Sequence, residues 1–214
     1  MNPALRGLYA ITPDRRLAGA TMVTAVEACL QGGARILQYR DKSPDAARRH
    51  AEAAELRTLC ARYGALFLVN DDVALAAAVT ADGVHLGRDD LDIGAARRRL
   101  PAGALIGASC YNRFDLAREA AASGADYVAF GSFHPSPTKP AAVRADAGLL
   151  RRARRELAIP AVAIGGISPE NGAALVEAGA AMLAVISALF DAADIRAAAQ
   201  SFAACFDTLP GDHR

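Results

Sequence analysis

The sequence predicts a single (β/α)₈ barrel, a closed ring of eight parallel strands with helices outside it. Three observations lead to this fold class. Short apolar runs recur eight times, segments with helical spacing separate them, and 214 residues is a length that one barrel domain can fill. We therefore expect one domain over residues 1–214, with short flexible tails at about 1–5 and 208–214.

The eight candidate strands are rich in apolar, β-branched and aromatic residues, which is typical of strands buried on both faces. In chain order they are Gly7–Ile11, Ile36–Tyr39, Leu66–Val69, Gly83–Leu86, Leu105–Ala108, Tyr127–Phe130, Ala161–Ile164 and Met182–Ile186. Their regular recurrence indicates a repeated strand-and-helix unit.

The segments between the strands are rich in Ala, Leu, Arg and Glu. The clearest helices among them are Asp45–Tyr63, Asp115–Ala122, Ala147–Leu157 and Pro169–Ala178. Ser43-Pro44 and Ser168-Pro169 are helix start signals, because a serine hydroxyl caps free amides and proline suits the first helical position.

Eight such units in a chain of this length favour a closed barrel over an open, doubly wound sheet, because closure removes both exposed sheet edges. The open sheet is the alternative fold. In a barrel the active site lies at the carboxyl ends of the strands, so the residues that follow each strand are the ones to inspect.

Composition argues against several classes of partner. Lys and Arg total 24 against 23 Asp and Glu, and the net charge of +1 provides no field that would draw the chain onto a nucleic acid or an acidic membrane. No leader segment and no membrane-spanning apolar run is recognisable. We expect small-molecule partners, and the sequence leaves open whether the chain forms a homo-oligomer.

The four cysteines, Cys29, Cys60, Cys110 and Cys205, are dispersed and contain no Cys-x-x-Cys pair. This spacing predicts neither a zinc site nor a disulfide framework, and it fits a reducing cytoplasm. Cys110 has no neighbouring base in the sequence, so we interpret it as an apolar filler and not as a nucleophile.

The residues that follow the candidate strands are unusually polar. Amide, cationic, carboxylate and hydroxyl groups converge there, in the stretches Gln38-Tyr39-Arg40-Asp41-Lys42, Asn70-Asp71, His85 to Asp90, Ser109 and Gly131 to Lys139. No two histidines have the spacing of a transition-metal pair, and we assign His85 no catalytic role.

Gly165-Gly166 and Ile186-Ser187 end the last two strands, the position where barrels of this kind commonly bind phosphate. Glycine lets bare backbone approach an anion, and Ser187 adds a hydroxyl at a helix start. A tight turn and a simple helix cap are the alternative interpretations.

Asp71 and Asp90 follow neighbouring strands and together could hold Mg²⁺, which prefers carboxylate oxygen and shares its remaining positions with water and phosphate. Lys42 and Lys139 would then lie beside a diphosphate. The alternative for each aspartate alone is a helix cap, but their combination with the lysines favours the metal site.

With these motifs in view, the chain resembles the thiamine-phosphate synthase family over nearly its whole length. The resemblance rests on Gln38-Tyr39-Arg40-Asp41-Lys42, Asn70-Asp71, Gly83 through Asp90, Gly131 through Lys139, Ala163 through Ile167 and Ile186-Ser187, in that order. It implies a transferase that joins an aminopyrimidine diphosphate to a thiazole phosphate and releases pyrophosphate in a dissociative, Mg²⁺-assisted reaction.

The resemblance also implies a set of roles. The aminopyrimidine diphosphate would contact Gln38, Tyr39, Arg40, Asp41, Lys42, Asn70, Ser109 and Lys139. The thiazole phosphate would contact Ser136, Pro137, Thr138, Gly166, Ile186 and Ser187. Asp71 and Asp90 would hold the metal, and the expected catalytic residues are Lys42, Ser109 and Lys139.

Departures from the family pattern are Ser136 for Thr, Cys110-Tyr111 for Thr-His, and Asp72 for a frequent Arg. Asp72 leaves open which of two adjacent carboxylates faces the metal, although alignment on Asn70 selects Asp71. The competing functions are a thiazole tautomerase, which has no diphosphate to release, and a phosphate-ligand-binding barrel without catalysis.

Overall fold

The computed structural model describes residues 4–13, 19–88, 90, 92–135 and 143–207. Its strands are β1 (Gly7–Ile11), β2 (Ala34–Tyr39), β3 (Leu66–Asn70), β4 (Gly83–Leu86), β5 (Leu105–Tyr111), β6 (Tyr127–Gly131), β7 (Ala161–Ile164) and β8 (Met182–Val185). All neighbours pair in parallel, and β8 pairs with β1 to close the barrel. The (β/α)₈ fold class is therefore confirmed, and the open sheet is excluded.

Helices follow the strands in alternation. They are α1 (Gly19–Gln31), α2 (Ala46–Arg62), α3 (Val73–Ala78), α4 (Ile93–Arg99), α5 (Phe114–Ala122), α6 (Ala147–Glu156), α7 (Pro169–Glu177), α8 (Ser187–Phe190) and α9 (Ile195–Ala204). Ser168 and Asn171 form the capping box at the start of α7. The start signal assigned to Ser43-Pro44 was misplaced, because Asp45 caps α2 by accepting from the amide of Arg48.

Two apolar clusters stabilise the barrel because successive strand residues point to opposite faces. One lies between strands and helices, and the other fills the barrel interior with residues such as Leu68, Val162 and Met182. Leu5, which we expected in a flexible tail, is only 2% exposed and belongs to the interior cluster. Ala4 lies in a turn and is exposed. The rest of the predicted tails, residues 1–3 and 208–214, lies outside the described residues.

Among the described helices none is both long and apolar enough to span a lipid bilayer.

Candidate functional site

A cavity of about 510 Å³ opens at the carboxyl ends of the strands. Its walls are mostly apolar, with a few polar groups directed inward, as is usual for small-molecule sites. The sequence-predicted residues that line it are Gln38, Arg40, Asn70, Ser109, Gly166, Ile186 and Ser187. Strands from all around the barrel thus bring distant parts of the sequence to one mouth.

Strand alternation sorts the residues at the end of β2. Gln38 is buried in the barrel interior and Arg40 lines the cavity. Thr12, just after β1, holds the backbone of Arg40 in place: the Arg40 amide donates to Thr12 Oγ1 at 2.7 Å, and the hydroxyl donates to the Arg40 carbonyl at 3.1 Å. The cavity end of β2 is therefore fixed against β1.

The side chains of Tyr39 and Asp41 lie on the helix side of β2. Tyr39 Oη donates to Glu52 Oε2 at 2.7 Å, and Arg48 donates to Asp41 Oδ2 at 2.7 Å. Burial would raise the pKa of Asp41, but the amide of Ser43 and the guanidinium of Arg48 outweigh it and lower that pKa. Both side chains are thus engaged with α2 and its start, and a substrate contact at Tyr39 would have to use its backbone.

Asn70, Asp71 and Lys42 meet at the rim above β2 and β3. Lys42 Nζ lies 2.5 Å from Asp71 Oδ2, and Asn70 Nδ2 donates to the same oxygen at 2.6 Å. Lys42 is 56% exposed. Asn70 lines the cavity, whereas Lys42, Asp71 and Asp90 are not among its lining residues.

Asp71 has a backbone φ of 62°, a left-handed conformation that only a few per cent of non-glycine residues adopt. Its amide donates to the carbonyl of His85 on the neighbouring strand β4 at 2.8 Å. This bond stabilises a conformation that costs about 1–2 kcal/mol elsewhere. The strained backbone holds the carboxylate at the rim.

Asp90 joins Asp71 through a hydrogen bond between their carboxyl groups, and its Oδ2 also accepts from the amide of Gly87 at 2.6 Å. Burial and the adjacent Asp71 raise the pKa of Asp90. Burial acts in the same direction on Asp71, but the hydrogen bonds from Asp90 and Lys42 outweigh it and lower its pKa. The two carboxyl groups face each other closely enough for a divalent cation to bind between them.

This donor set fits Mg²⁺ because both oxygens are hard carboxylate ligands. Among the described residues no group of three or more His, Cys, Asp or Glu forms a candidate metal centre. A two-carboxylate site would leave positions for water and phosphate oxygens, as magnesium sites in phosphoryl-binding enzymes do.

The alternative that Asp71 and Asp90 are only helix caps is wrong. Asp72 caps α3 by accepting from the Leu75 amide at 2.9 Å, and it forms an ion pair with Arg49. Asp92 caps α4. Asp72 is therefore engaged as a cap, which removes the uncertainty over which adjacent carboxylate lies at the rim.

Gly165 and Gly166 form the opposite rim with backbone φ values of 100° and 61°. A Cβ at Gly166 would lie 2.3 Å from the carbonyl oxygen of Pro135, and one at Gly165 would lie 2.1 Å from Ser132 Oγ. Only glycine fits both the conformation and the space. Ser187 begins the short helix α8 beside them.

A chain of buried polar side chains inside the barrel was not anticipated from the sequence. Gln38 Nε2 donates to Tyr9 Oη at 2.6 Å, and the hydroxyls of Tyr9 and Tyr127 lie 2.8 Å apart. Tyr127 Oη is 3.0 Å from His85 Nδ1, and His85 Nε2 is 2.9 Å from Ser109 Oγ. We call these five residues the polar chain.

A signal for the polar chain was present in the sequence. Tyr9, Gln38, His85 and Tyr127 each lie within a strand that was expected to be buried, and buried polar groups require partners. His85, to which we had assigned no catalytic role, occupies the centre of this arrangement.

Cys110 is 1% exposed, and burial raises the pKa of its thiol to about 12. This agrees with its interpretation as a filler. Ser136, Pro137, Thr138 and Lys139 lie outside the described residues, so their predicted contacts remain predictions.

Comparison with known proteins gives a consistent result. The sequence profile of a family described as thiamine monophosphate synthase matches residues 8–189. The chain is 58% identical to the thiamine-phosphate synthase of Chromobacterium violaceum, covering 96% of this chain and 99% of that one. It is 56% identical to the enzyme of the same name from Thiobacillus denitrificans, covering 95% and 96%.

A solved structure of thiamine phosphate pyrophosphorylase from Pyrococcus furiosus superimposes with a TM-score of 0.86 at 36% identity, covering 97% of this chain and 98% of that one.

Proposed function

Because the chain belongs to the thiamine monophosphate synthase family, we propose that it joins an aminopyrimidine diphosphate to a thiazole phosphate, giving thiamine phosphate and pyrophosphate. Members of this family are transferases, and so is this chain. The proposal concerns its substrates, its metal and the course of its reaction. The observation that carries the proposal is the rim where Lys42, Asp71 and Asp90 meet beside a cavity large enough for small molecules.

The acidic rim, by which we mean Lys42, Asn70, Asp71 and Asp90, would receive the diphosphate. Asp71 and Asp90 would hold Mg²⁺, and the metal would neutralise charge on the phosphate oxygens when bound. The exposed ammonium of Lys42, paired with Asp71, would accompany the charge that grows as pyrophosphate departs. Arg40, which follows β2 and lines the cavity, would add a second cation.

The aminopyrimidine ring would lie deeper, against Gln38, Asn70 and Ser109. Tyr39 and Asp41 would support this part of the site through their backbone and through the start of α2. Lys139 completes the proposed diphosphate contacts.

The glycine rim, by which we mean Gly165, Gly166, Ile186 and Ser187, would bind the thiazole phosphate. Backbone amides approach an anion closely where no Cβ intervenes, and a hydroxyl at the start of a helix adds a further donor. Ser136, Pro137 and Thr138 complete this part of the proposal.

The reaction that suits such a site is dissociative. Pyrophosphate leaves first, the electron-rich aminopyrimidine stabilises the resulting methylene cation, and the thiazole nitrogen attacks it. No strong protein base is required; the chain needs to bind the leaving group, align the two rings and exclude water. The largely apolar cavity walls serve the last two tasks.

The direct test mixes both substrates with the purified protein, with and without Mg²⁺, and follows pyrophosphate and thiamine phosphate together. We expect both products in equal amounts, and only with the metal. Absence of both products in the presence as well as the absence of Mg²⁺ would contradict the synthase, and equal rates without metal would contradict the role of Asp71 and Asp90.

We also propose that the chain works in a reducing cytoplasm on small molecules. The four cysteines are free and buried, which suits a compartment where thiols stay reduced.

A further inference from the structure

The polar chain lies in the barrel interior, below the cavity that Gln38, His85 and Ser109 help to line. Tyr127, Tyr9 and Gln38 are 0%, 1% and 2% exposed, and both tyrosine rings belong to the apolar cluster that fills the interior. Burial raises the pKa of both phenols well above the ordinary value, so both keep their protons. Each buried phenol proton therefore needs a hydrogen-bond acceptor.

The sequence makes room for this arrangement at Gly107 on β5. A Cβ at Gly107 would lie 2.0 Å from Tyr127 Cζ and 2.3 Å from its hydroxyl. The ring of Tyr127 also stacks on His85, with centroids 5.6 Å apart and an interplanar angle of 27°. These close contacts fix where the Tyr127 hydroxyl lies relative to the imidazole.

The direction of the hydrogen bonds follows from counting protons. The Gln38 amide nitrogen can only donate, so Tyr9 Oη accepts from it. If Tyr127 also donated to Tyr9, the proton of Tyr9 would have no acceptor among the described residues, which is costly in a buried site. Either phenol oxygen of this pair is placed to donate, and this count of protons assigns the donor role to Tyr9.

The remaining bonds then have one direction. Tyr127 donates to His85 Nδ1, so the imidazole carries its proton on Nε2 and donates it to Ser109 Oγ. The Ser109 oxygen accepts from His85, and its own proton is left for a partner in the cavity that Ser109 lines.

We propose that Tyr9, Tyr127 and His85 are positioning residues that fix the Ser109 hydroxyl as a hydrogen-bond donor toward the substrate ring. The ring nitrogens of an aminopyrimidine are acceptors, so a serine held as a donor selects a heteroaromatic ring whose facing nitrogen carries no proton. The identity of this substrate rests on the proposed function, whereas the tautomer of His85 does not.

The first experiment reads the tautomer directly. Protein labelled with ¹⁵N in histidine is examined by NMR, and the His85 signals are assigned by their loss in His85→Asn. We expect Nε2 protonated and Nδ1 unprotonated in the unaltered protein. Tyr127→Phe removes the donor to Nδ1 and should give a mixture of both tautomers.

Tyr39→Phe is the matched control for this measurement, because it removes a buried phenol hydroxyl on the opposite side of the strand layer. It should leave the His85 signals unchanged. Tyr9→Phe is the second variant, since it retains the ring and should loosen the tautomer preference less than Tyr127→Phe does. A His85 protonated on Nδ1, or one whose tautomer ignores both substitutions, overturns the proposal.

The second experiment measures kinetics on the same proteins. Tyr127→Phe should raise KM for the aminopyrimidine diphosphate about tenfold, the effect of one neutral hydrogen bond, with KM for the thiazole phosphate unchanged. An unchanged KM together with a shifted tautomer would overturn the specificity role. A tautomer that shifts as expected in a protein with no synthase activity would instead count against the proposed function alone.

Discussion

The two rims of the cavity are built by opposite means. On the acidic rim, each charged side chain is held by another: Lys42 by Asp71, and Asp71 by Asp90. On the glycine rim, the site is shaped by missing side chains, with Gly165 and Gly166 in conformations and spaces that exclude a Cβ. A barrel can thus prepare one side of a site with charge and the other with bare backbone.

This difference determines how each rim can be damaged. A substitution that preserves shape but removes charge should disable the acidic rim, whereas one that adds a single methyl group should disable the glycine rim. Three substitutions on the rims test this contrast, and a fourth changes a nearby carboxylate that serves the fold.

The largest effect is expected for Asp71→Asn, which keeps the shape of the side chain and removes its charge. Because a catalytic metal supplies several kcal/mol, kcat should fall about 10²-fold or more at a fixed Mg²⁺ concentration, with a higher Mg²⁺ requirement. Asp72→Asn is the matched control: asparagine also caps helices, so α3 persists and turnover should change little. Equal losses in the two variants would contradict the assignment of the metal to Asp71.

Next in size is Lys42→Met, which removes an ammonium group that is 56% exposed. Loss of one group that stabilises developing charge should lower kcat about tenfold to 10²-fold, measured by pyrophosphate release. The free energy of unfolding should change by less than about 0.5 kcal/mol because exposed ion pairs contribute little. Lys42→Arg retains the charge and should recover part of the rate; no recovery would point to packing and not to charge.

On the glycine rim, Gly166→Ala should raise KM for the thiazole phosphate about tenfold, because the new methyl group would displace Pro135 and close the backbone to an anion. Gly64→Ala is the control: its φ of 65° nearly equals that of Gly166, but a Cβ there meets nothing within 4 Å. The left-handed conformation should cost both variants about 1–2 kcal/mol of stability. Gly166→Ala should lose more because of its backbone clash, and only Gly166→Ala should alter KM. A similar KM in both would refute the phosphate site.

The smallest effect is expected for Asp41→Asn, since this carboxylate serves the fold at the start of α2. Its pKa is lowered in the folded protein, so its charge stabilises the fold above the unfolded pKa of about 4 and that contribution disappears as pH falls through the lower folded value. At pH 7 the variant should lose about 1 kcal/mol in urea unfolding. This difference in unfolding free energy should vanish under strongly acidic conditions. Asp207→Asn, at an exposed position, is the control and should not change the unfolding free energy.

The barrel itself could be predicted because its signals are local. The predicted and observed β1, β4 and β7 have the same bounds, since turn residues and apolar runs delimit short strands. The start of α2 was predicted to within one residue, but its cap was misassigned, because Ser43-Pro44 and Asp45 are both capping signals and sequence alone does not reveal which amide each one reaches.

The candidate site could be predicted to the level of which strand end each residue follows. Strand-end position alone predicts that Asn70 and Asp71 lie at the rim. It does not show that Gln38 faces inward while Tyr39 faces α2, since that difference follows from the alternation of side chains along the strand. The buried polar residues of the polar chain could be recognised in the sequence, but their pairing could not, because Tyr9 and Tyr127 meet across the barrel interior 118 positions apart.

His85 contributes to the acidic rim and to the polar chain through different atoms. Its carbonyl accepts from the Asp71 amide, and its imidazole bonds to Ser109. Every amino acid brings the same carbonyl, so replacing this histidine should spare magnesium affinity while it degrades discrimination between ring analogues. One codon could therefore be varied in a library to change which heterocycles are accepted, without rebuilding the machinery that expels pyrophosphate.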